Sequence, residues 1–286
     1  MEKIWLKSYP ANVPQVIDNL SDNSISDMMT RASLKYSNKT AFTNLNSKLT
    51  YNEVDYYSDK FGSYLQNELS INKGFKVAIM LPNLLTYPVT LLGSFKAGAT
   101  VVNINPLYKS REIQDVLDDS EAETIIVLDR FLCELEPILK NVKVKNIIVC
   151  TVTDLLSLRM SLLVNIATLV KNSNIKLNKN YIPFSMTIKT KYKLKIIPLK
   201  LDDIAVLQYT GGTTGRSKAA ILTHRNILSN LKQLNLWVGP HIEDGKEIII
   251  TASPVSTIGT VGPSSILKGS VSLDIFSFSF EVILKV

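Results

Sequence analysis

Short apolar, β-branched runs recur along the chain: KVAIML (76–81), TVVNIN (100–105), TIIVL (124–128), NIIVC (146–150), IAVLQY (204–209) and EIIITA (247–252). Each has strand length. Where alternation with polar residues is lost, the pattern predicts a strand covered on both faces. Between several of these runs the period changes to that of a helix. TYNEVDYYSDKFGSYLQNEL sets Thr50 and Glu53 in capping-box spacing, then lines up Val54, Tyr57, Phe61 and Leu65 on one stripe. SREIQDVLDD offers Ser110 as a cap and turns Ile113, Val116 and Leu117 inward. HRNILSNLKQLNLW follows Thr223 and places Ile227, Leu228, Leu231 and Leu234 on one face. Strands alternating with helices predict an α/β fold with a largely parallel sheet.

Residues 154–200 depart from this rhythm. LLSLRMSLLVNIATLVK predicts a helix, either buried or lying on a membrane surface. Farther on, Lys189, Lys191, Lys193 and Lys195 recur at every second residue, which predicts a strand with one charged face. Such a face protects a sheet edge or meets anionic lipid headgroups. The tail SLDIFSFSFEVILKV alternates Phe276, Phe278 and Phe280 with polar residues, a strand pattern that runs to the last residue. It gives the chain the look of one cut off within its fold.

Composition narrows the class without deciding it. The 286 residues are 45% hydrophobic and 20% charged, enough for a sizeable core and unlike a disordered or collagenous chain. Two cysteines, Cys133 and Cys150, make no disulfide framework and no metal-ligand spacing, and suit a reducing compartment. The opening MEKIWLKSYPANVP reads as carrying no secretory signal. No segment reaches the ~18 consecutive apolar residues of a spanning helix; the nearest, LLTYPVTLLGSFKAG (84–98), is broken by Thr86, Pro88 and Lys96. Lysine and arginine exceed aspartate and glutamate by 32 to 25, a net +7. That modest surplus suits a polyanionic substrate or an anionic bilayer. No aromatic platform or recognised motif for nucleic acid accompanies it.

The chemistry concentrates where IAVLQY runs into Tyr209-Thr210-Gly211-Gly212-Thr213-Thr214-Gly215-Arg216-Ser217-Lys218. Three glycines allow bare backbone to approach a ligand, and successive N–H groups in such a turn form an anion-binding nest. Thr210, Thr213, Thr214 and Ser217 add hydroxyls, and Lys218 adds a positive charge. Together they describe a phosphate cradle, with a helix expected shortly after. It is not a Walker A loop, because Arg216 stands where the second glycine would fall.

YTGGTTGRSKAAILTHRN resembles the phosphate-binding signature of the acyl-adenylate-forming superfamily, which holds acyl-CoA synthetases, adenylation domains and luciferases. LTYNEVDYYSDKFGSYL, VAIMLPN and FKAGATVVNINPLYKSREI resemble the family's earlier blocks. PNLLTYPV, NINPLY and QYTGGTTG together resemble its long-chain fatty acid–CoA ligase branch. The similarity runs over about residues 3–254 and is most specific at 76–112 and 204–231.

The resemblance implies that 1–286 form part of the large N-terminal domain, with layered α/β sheets plus a distorted barrel, and without the small C-terminal lid domain. It implies a fatty acid, ATP and CoA as substrates, Mg²⁺ as cofactor, and no metal site of the chain's own. A fatty carboxylate would attack the α-phosphorus of ATP, and the CoA thiol would then displace AMP. Tyr209 to Ala220 would form the ATP loop, with Thr210, Thr213 and Thr214 on phosphate oxygens. Gly211, Gly212 and Gly215 would give close approach, while Arg216, Ser217, Ala219 and Ala220 complete the loop. Lys218 and Thr214 are the candidate catalytic pair, Lys218 neutralising the β- and γ-phosphates and the departing pyrophosphate. A cytoplasmic location with peripheral contact at an anionic membrane face is implied as well.

The chain also departs from the family pattern. Ala219 stands where the signature usually has glycine; if the backbone there needs positive φ, its methyl costs about 1 kcal/mol. Ser253-Pro254-Val255-Ser256-Thr257 lacks the histidine that usually follows this proline, and His224 is expected to cap or pack. The family's later motifs are missing from this sequence. Two further readings therefore stay open: a noncatalytic remnant or weak nucleotide-binding module, and a superfamily member acting on another carboxylic acid.

Overall fold

The computed structural model describes residues 3–11, 13–17, 19–170, 180–210, 218–241, 243 and 246. After a short 3-10 turn come α1 (Ile25–Tyr36) and the antiparallel hairpin β1 (Thr40–Asn44) and β2 (Ser47–Thr50), which runs directly into α2 (Tyr51–Asn67). The hairpin turns on Leu45 and Asn46, at φ 45° and 55°. Positive φ at both central residues matches the right-handed twist of the paired strands. Then follow β3 (Lys76–Met80), α3 (Thr86–Lys96), β4 (Thr100–Asn103), α4 (Ser110–Ser120), β5 (Thr124–Leu128), the single turn α5 (Leu132–Leu135), β6 (Asn146–Cys150) and α6 (Leu158–Val170). The two-residue β7 (Ile182–Pro183), α7 (Phe184–Thr187), β8 (Ile204–Thr210), β9 (Lys218–Thr223) and α8 (His224–Val238) complete the described chain.

Seven strands form one sheet in the order β7-β6-β5-β3-β4-β8-β9. All neighbours are parallel except β9, which returns antiparallel to β8. Loss of alternation has the expected meaning. Val77 and Ile79 of β3 face one apolar cluster with Phe61, Leu65 and Phe95, whereas Ala78 and Met80 face another with Ile113, Val116 and Leu117. Helices thus cover both faces, as a parallel sheet requires. The α/β class and five of the six predicted strands stand close to their sequence limits; the sixth, at 247–252, lies outside the described residues. The described residues hold one large sheet and one small hairpin, and the expected distorted barrel is not among them.

Local signals act as the sequence suggests in α2 and α8. Thr50 accepts from the Glu53 N–H while the Glu53 carboxylate accepts from the Thr50 N–H, and Thr223 and Asn226 repeat this exchange. Ser110 does not cap α4. It is the first helical residue, and both its N–H and its hydroxyl donate to Glu134. The Glu112 carboxylate instead accepts from the Lys109 N–H, 2.9 Å away.

The lysine-rich segment is no strand. Residues 188–200 pass along α2 as a strap without helix or strand. Gln66 anchors it with two hydrogen bonds to the Lys195 backbone, each 2.9 Å, and Lys60 and Lys73 donate to the Thr190 and Pro198 carbonyls. Side-chain period alone cannot supply a partner strand, and the strap's partners are side chains of α2 and of the turn that follows it. Helix α6 forms as predicted but is not buried. Leu158, Leu162, Leu163 and Ile166 are exposed along one side, Leu158 at 91%. Among the described residues no helix is long and apolar enough to cross a membrane.

Candidate functional site

The site grows from the carboxyl end of β8, where ligands of parallel α/β sheets usually sit. Ile204 to Thr210 climb beside β4, with Val101 opposite Val206 and Asn103 opposite Gln208. The chain returns as β9, with Thr210 opposite Lys218, Tyr209 opposite Ala219 and Gln208 opposite Ala220. Two ladder-paired strands therefore hold the two ends of the predicted phosphate loop. The sequence reading missed this second strand and moved straight to the helix; KAAILT has too weak an apolar alternation to announce an edge strand. Gly211, Gly212, Thr213, Thr214, Gly215, Arg216 and Ser217 lie outside the described residues.

Lys218 is exposed at the first position of β9, and its ammonium has no ion-pair partner among the described residues. A long cation at a loop mouth, unclaimed by a carboxylate, is free to meet a polyanion. Ala219 is a ladder residue and is not among those with positive φ, so its methyl carries none of the strain considered above.

Tyr209 is anchored from α4. Its ring is buried, and its hydroxyl donates to Asp119 Oδ2 on α4 at 2.6 Å, on the sheet face opposite α2 and α3. Burial and the accepting carboxylate both hold this phenol above its ordinary range, so it remains a donor. The neighbouring residue faces the other way. Tyr87 of α3 donates to Asn103 Oδ1 at 3.2 Å, and the Asn103 amide donates to Gln208 Oε1 at 3.3 Å. Burial pushes the Tyr87 phenol up to about 12, against the bond to Asn103 that draws it down. Polar side chains thus hold the end of β8 from both faces. Of these contacts the sequence hinted only at Asn103, a polar break in TVVNIN; Asp119 looks like any helix-surface carboxylate.

A cleft of about 540 Å³ opens between the β8–β9 pair and the end of α4, bordered by Lys76, Asp119, Glu121, Leu207, Tyr209 and Lys218. A smaller hollow of about 400 Å³ shares Lys76 and Leu207 with the first and lies near Lys73 and Thr100. Only the first reaches Lys218. His224 lines neither. It is 1% exposed, its Nδ1 accepts from the Ile25 N–H at 3.3 Å, and its ring meets Phe95 edge-on. Among the described residues no group of three or more His, Cys, Asp or Glu is arranged to hold a metal ion.

A largely parallel α/β sheet with a glycine- and threonine-rich connection leading to a lysine at the start of the next strand defines a nucleotide-binding class of protein. The profile of the AMP-binding enzyme family matches residues 29–265, and the chain belongs to that family. It is 40% identical over 261 residues to a long-chain-fatty-acid–CoA ligase of Escherichia coli O157:H7, covering 89% of this chain and 46% of that protein. To the Bacillus subtilis long-chain-fatty-acid–CoA ligase it is 32% identical over 289 residues, 99% of this chain and 50% of the other. The crystal structure of a long-chain-fatty-acid-CoA ligase from Archaeoglobus fulgidus superposes with a TM-score of 0.66 at 25% identity, over 87% of this chain and 45% of that one. The chain spans about half the length of the curated relatives it matches.

Proposed function

We propose that the chain is the nucleotide-binding part of an ATP-dependent fatty acid–CoA ligase, with residues 1–286 lying within its large N-terminal domain. The observation that carries this reading is Lys218, without an ion-pair partner among the described residues and opposite Thr210 at the mouth of the glycine-threonine connection. A carboxylate attacking the α-phosphorus of ATP brings two anions together. A preplaced cation lowers that repulsion and stabilises the charge that accumulates on departing pyrophosphate. Thr210, Thr213, Thr214 and the glycine amides would hold the phosphate oxygens, and Thr214 would act beside Lys218. The CoA thiol would then displace AMP from the acyl-adenylate. Long-chain acyl selectivity rests on the names of the relatives alone. Magnesium belongs to the same expectation; among the described residues no group of three or more His, Cys, Asp or Glu is arranged to hold it.

The test is direct. Purified chain is expected to bind ATP in calorimetry, and Lys218→Ala to weaken binding at least tenfold, the loss of one charge-assisted contact. Absence of ATP binding by the unaltered chain would overturn the reading. Incubation with palmitate, ATP, Mg²⁺ and CoA separates the ligase from the second reading, a noncatalytic nucleotide-binding module. Binding without palmitoyl-AMP or palmitoyl-CoA selects the module. Product from octanoate or benzoate in preference to palmitate selects another carboxylic acid.

Peripheral contact of a cytoplasmic protein with an anionic bilayer is part of the proposal. Its support is the exposed apolar side of α6 and the exposed Lys189, Lys191, Lys193 and Lys195. Flotation with phosphatidylglycerol vesicles is expected at low salt and lost at high salt. No flotation in either condition would remove the membrane from the proposal.

A further inference from the structure

A buried tyrosine hydroxyl needs a reason where phenylalanine would pack as well. The Tyr209 ring is 5% exposed within the apolar cluster of Met80, Ile104 and Leu117, yet its hydroxyl is carried to a carboxylate on a different element. Tyr209 is in register with Ala219, one rung before the Thr210–Lys218 pair. A shift of its Cα therefore displaces the base of the loop directly. Asp119 sits near the carboxyl end of α4, a helix fixed by Ile113, Val116 and Leu117 against the sheet. On the opposite face Asn103 and Tyr87 hold Gln208, the preceding residue. Two hydrogen-bonded supports, from α3 through β4 and from α4, thus act on consecutive residues of one strand end. Apolar packing is non-directional. A short bond to a carboxylate fixes direction as well as distance.

We propose that Tyr209 and Asp119 are positioning residues for polyphosphate binding: Asp119 sets the end of β8 through the Tyr209 hydroxyl, and so sets where Lys218 stands. Neither side chain is required to touch the nucleotide. This rests on the nucleotide-binding reading above and deepens it.

Calorimetry with the full chain tests the assignment, using ATP and adenosine as probes on wild type, Tyr209→Phe, Asp119→Ala, the double variant and Tyr181→Phe. Tyr181 donates to Glu136 at 2.8 Å near the far edge of the sheet, a matched tyrosine–carboxylate bond remote from the loop. The expected result is about a tenfold loss of ATP affinity in each of the two site variants, the range of one hydrogen bond to a charged group. The double variant should lose no more than the weaker-binding single, because both remove the same bond. Adenosine affinity should hold throughout, since it carries no phosphate, and Tyr181→Phe should bind ATP as wild type does. A merely structural role would move both probes together.

If Tyr209→Phe fails to fold, Asp119→Ala decides, because Asp119 lies on the exposed side of its helix. ATP binding unchanged in Asp119→Ala, or equal losses for ATP and adenosine, would overturn the assignment and leave nucleotide binding standing. No ATP binding by the wild type would withdraw both.

Discussion

At the scale of single residues, His224 couples two helix starts. Its backbone N–H donates to the Asp203 carbonyl as α8 begins, while its imidazole Nδ1 accepts from the Ile25 N–H in the first turn of α1. That amide has no partner within its own helix. Burial holds the imidazole below the ordinary histidine value of 6.5, with Asp203 and Asp27 pulling the other way and Lys73 reinforcing burial. A depressed folded pKa means the unfolded chain takes up the proton first. The stabilisation is therefore complete above pH 6.5 and is lost as pH falls through the folded value. The expected outcome is a melting temperature that drops for wild type from pH 7 toward pH 5. His224→Asn keeps an acceptor and does not titrate, so the drop should be smaller. Asp129 and Asp154, raised by burial, tilt both proteins oppositely, so the difference between the two curves isolates the histidine. Parallel curves would sink the argument.

Elements meet most closely where α2 crosses α3. A Cβ on Gly62 would lie 2.7 Å from the Gly93 carbonyl oxygen, and one on Gly93 would lie 2.8 Å from both the Ser58 carbonyl oxygen and Phe61. Backbone is the obstacle, so no rotamer change relieves it. Gly93→Ala improves helix propensity by about 1 kcal/mol, yet overpacking costs about 1–3 kcal/mol. Urea unfolding is expected to show a net loss of stability, and a gain would mean the helices separate freely. The strap over this helix pair permits a second test. Gln66→Ala removes both bonds to the Lys195 backbone. Tryptic cleavage after Lys193 or Lys195 is expected to quicken severalfold while global stability changes by about 1 kcal/mol or less. Unchanged cleavage would mean the strap is held by its apolar residues instead, such as Leu194 against Gly62 and Ile197 against Gly98.

At the scale of the whole molecule, β9 is the outermost strand of the large sheet among the described residues. Ile221 of β9 is 60% exposed beside the cleft. An exposed apolar edge invites strand pairing between copies. Ile221→Lys is expected to shift stability by about 0.5 kcal/mol or less, as surface changes do, and to reduce concentration-dependent self-association in sedimentation. Equal self-association in both proteins would show that β9 plays no part in it.

The chain by itself determined the layers. Unbroken apolar runs such as TIIVL can be satisfied only by cover on both faces, and the Thr50–Glu53 and Thr223–Asn226 spacings close their own hydrogen bonds within one turn. Glycines, hydroxyls and a lysine in one short stretch likewise raised the expectation of a phosphate cradle, because that chemistry is local; residues 211–217 lie outside the described residues. Contacts between distant elements had no such signal. Period-two lysines predict a strand but cannot say whether a neighbour strand exists to pair with; here Gln66 took the backbone instead. Ser110 looked like a cap until Glu134 came within reach. The support of Tyr209 by Asp119 joins positions 90 residues apart. Such bonds depend on where two separately formed elements come to rest, and only packing in three dimensions fixes that.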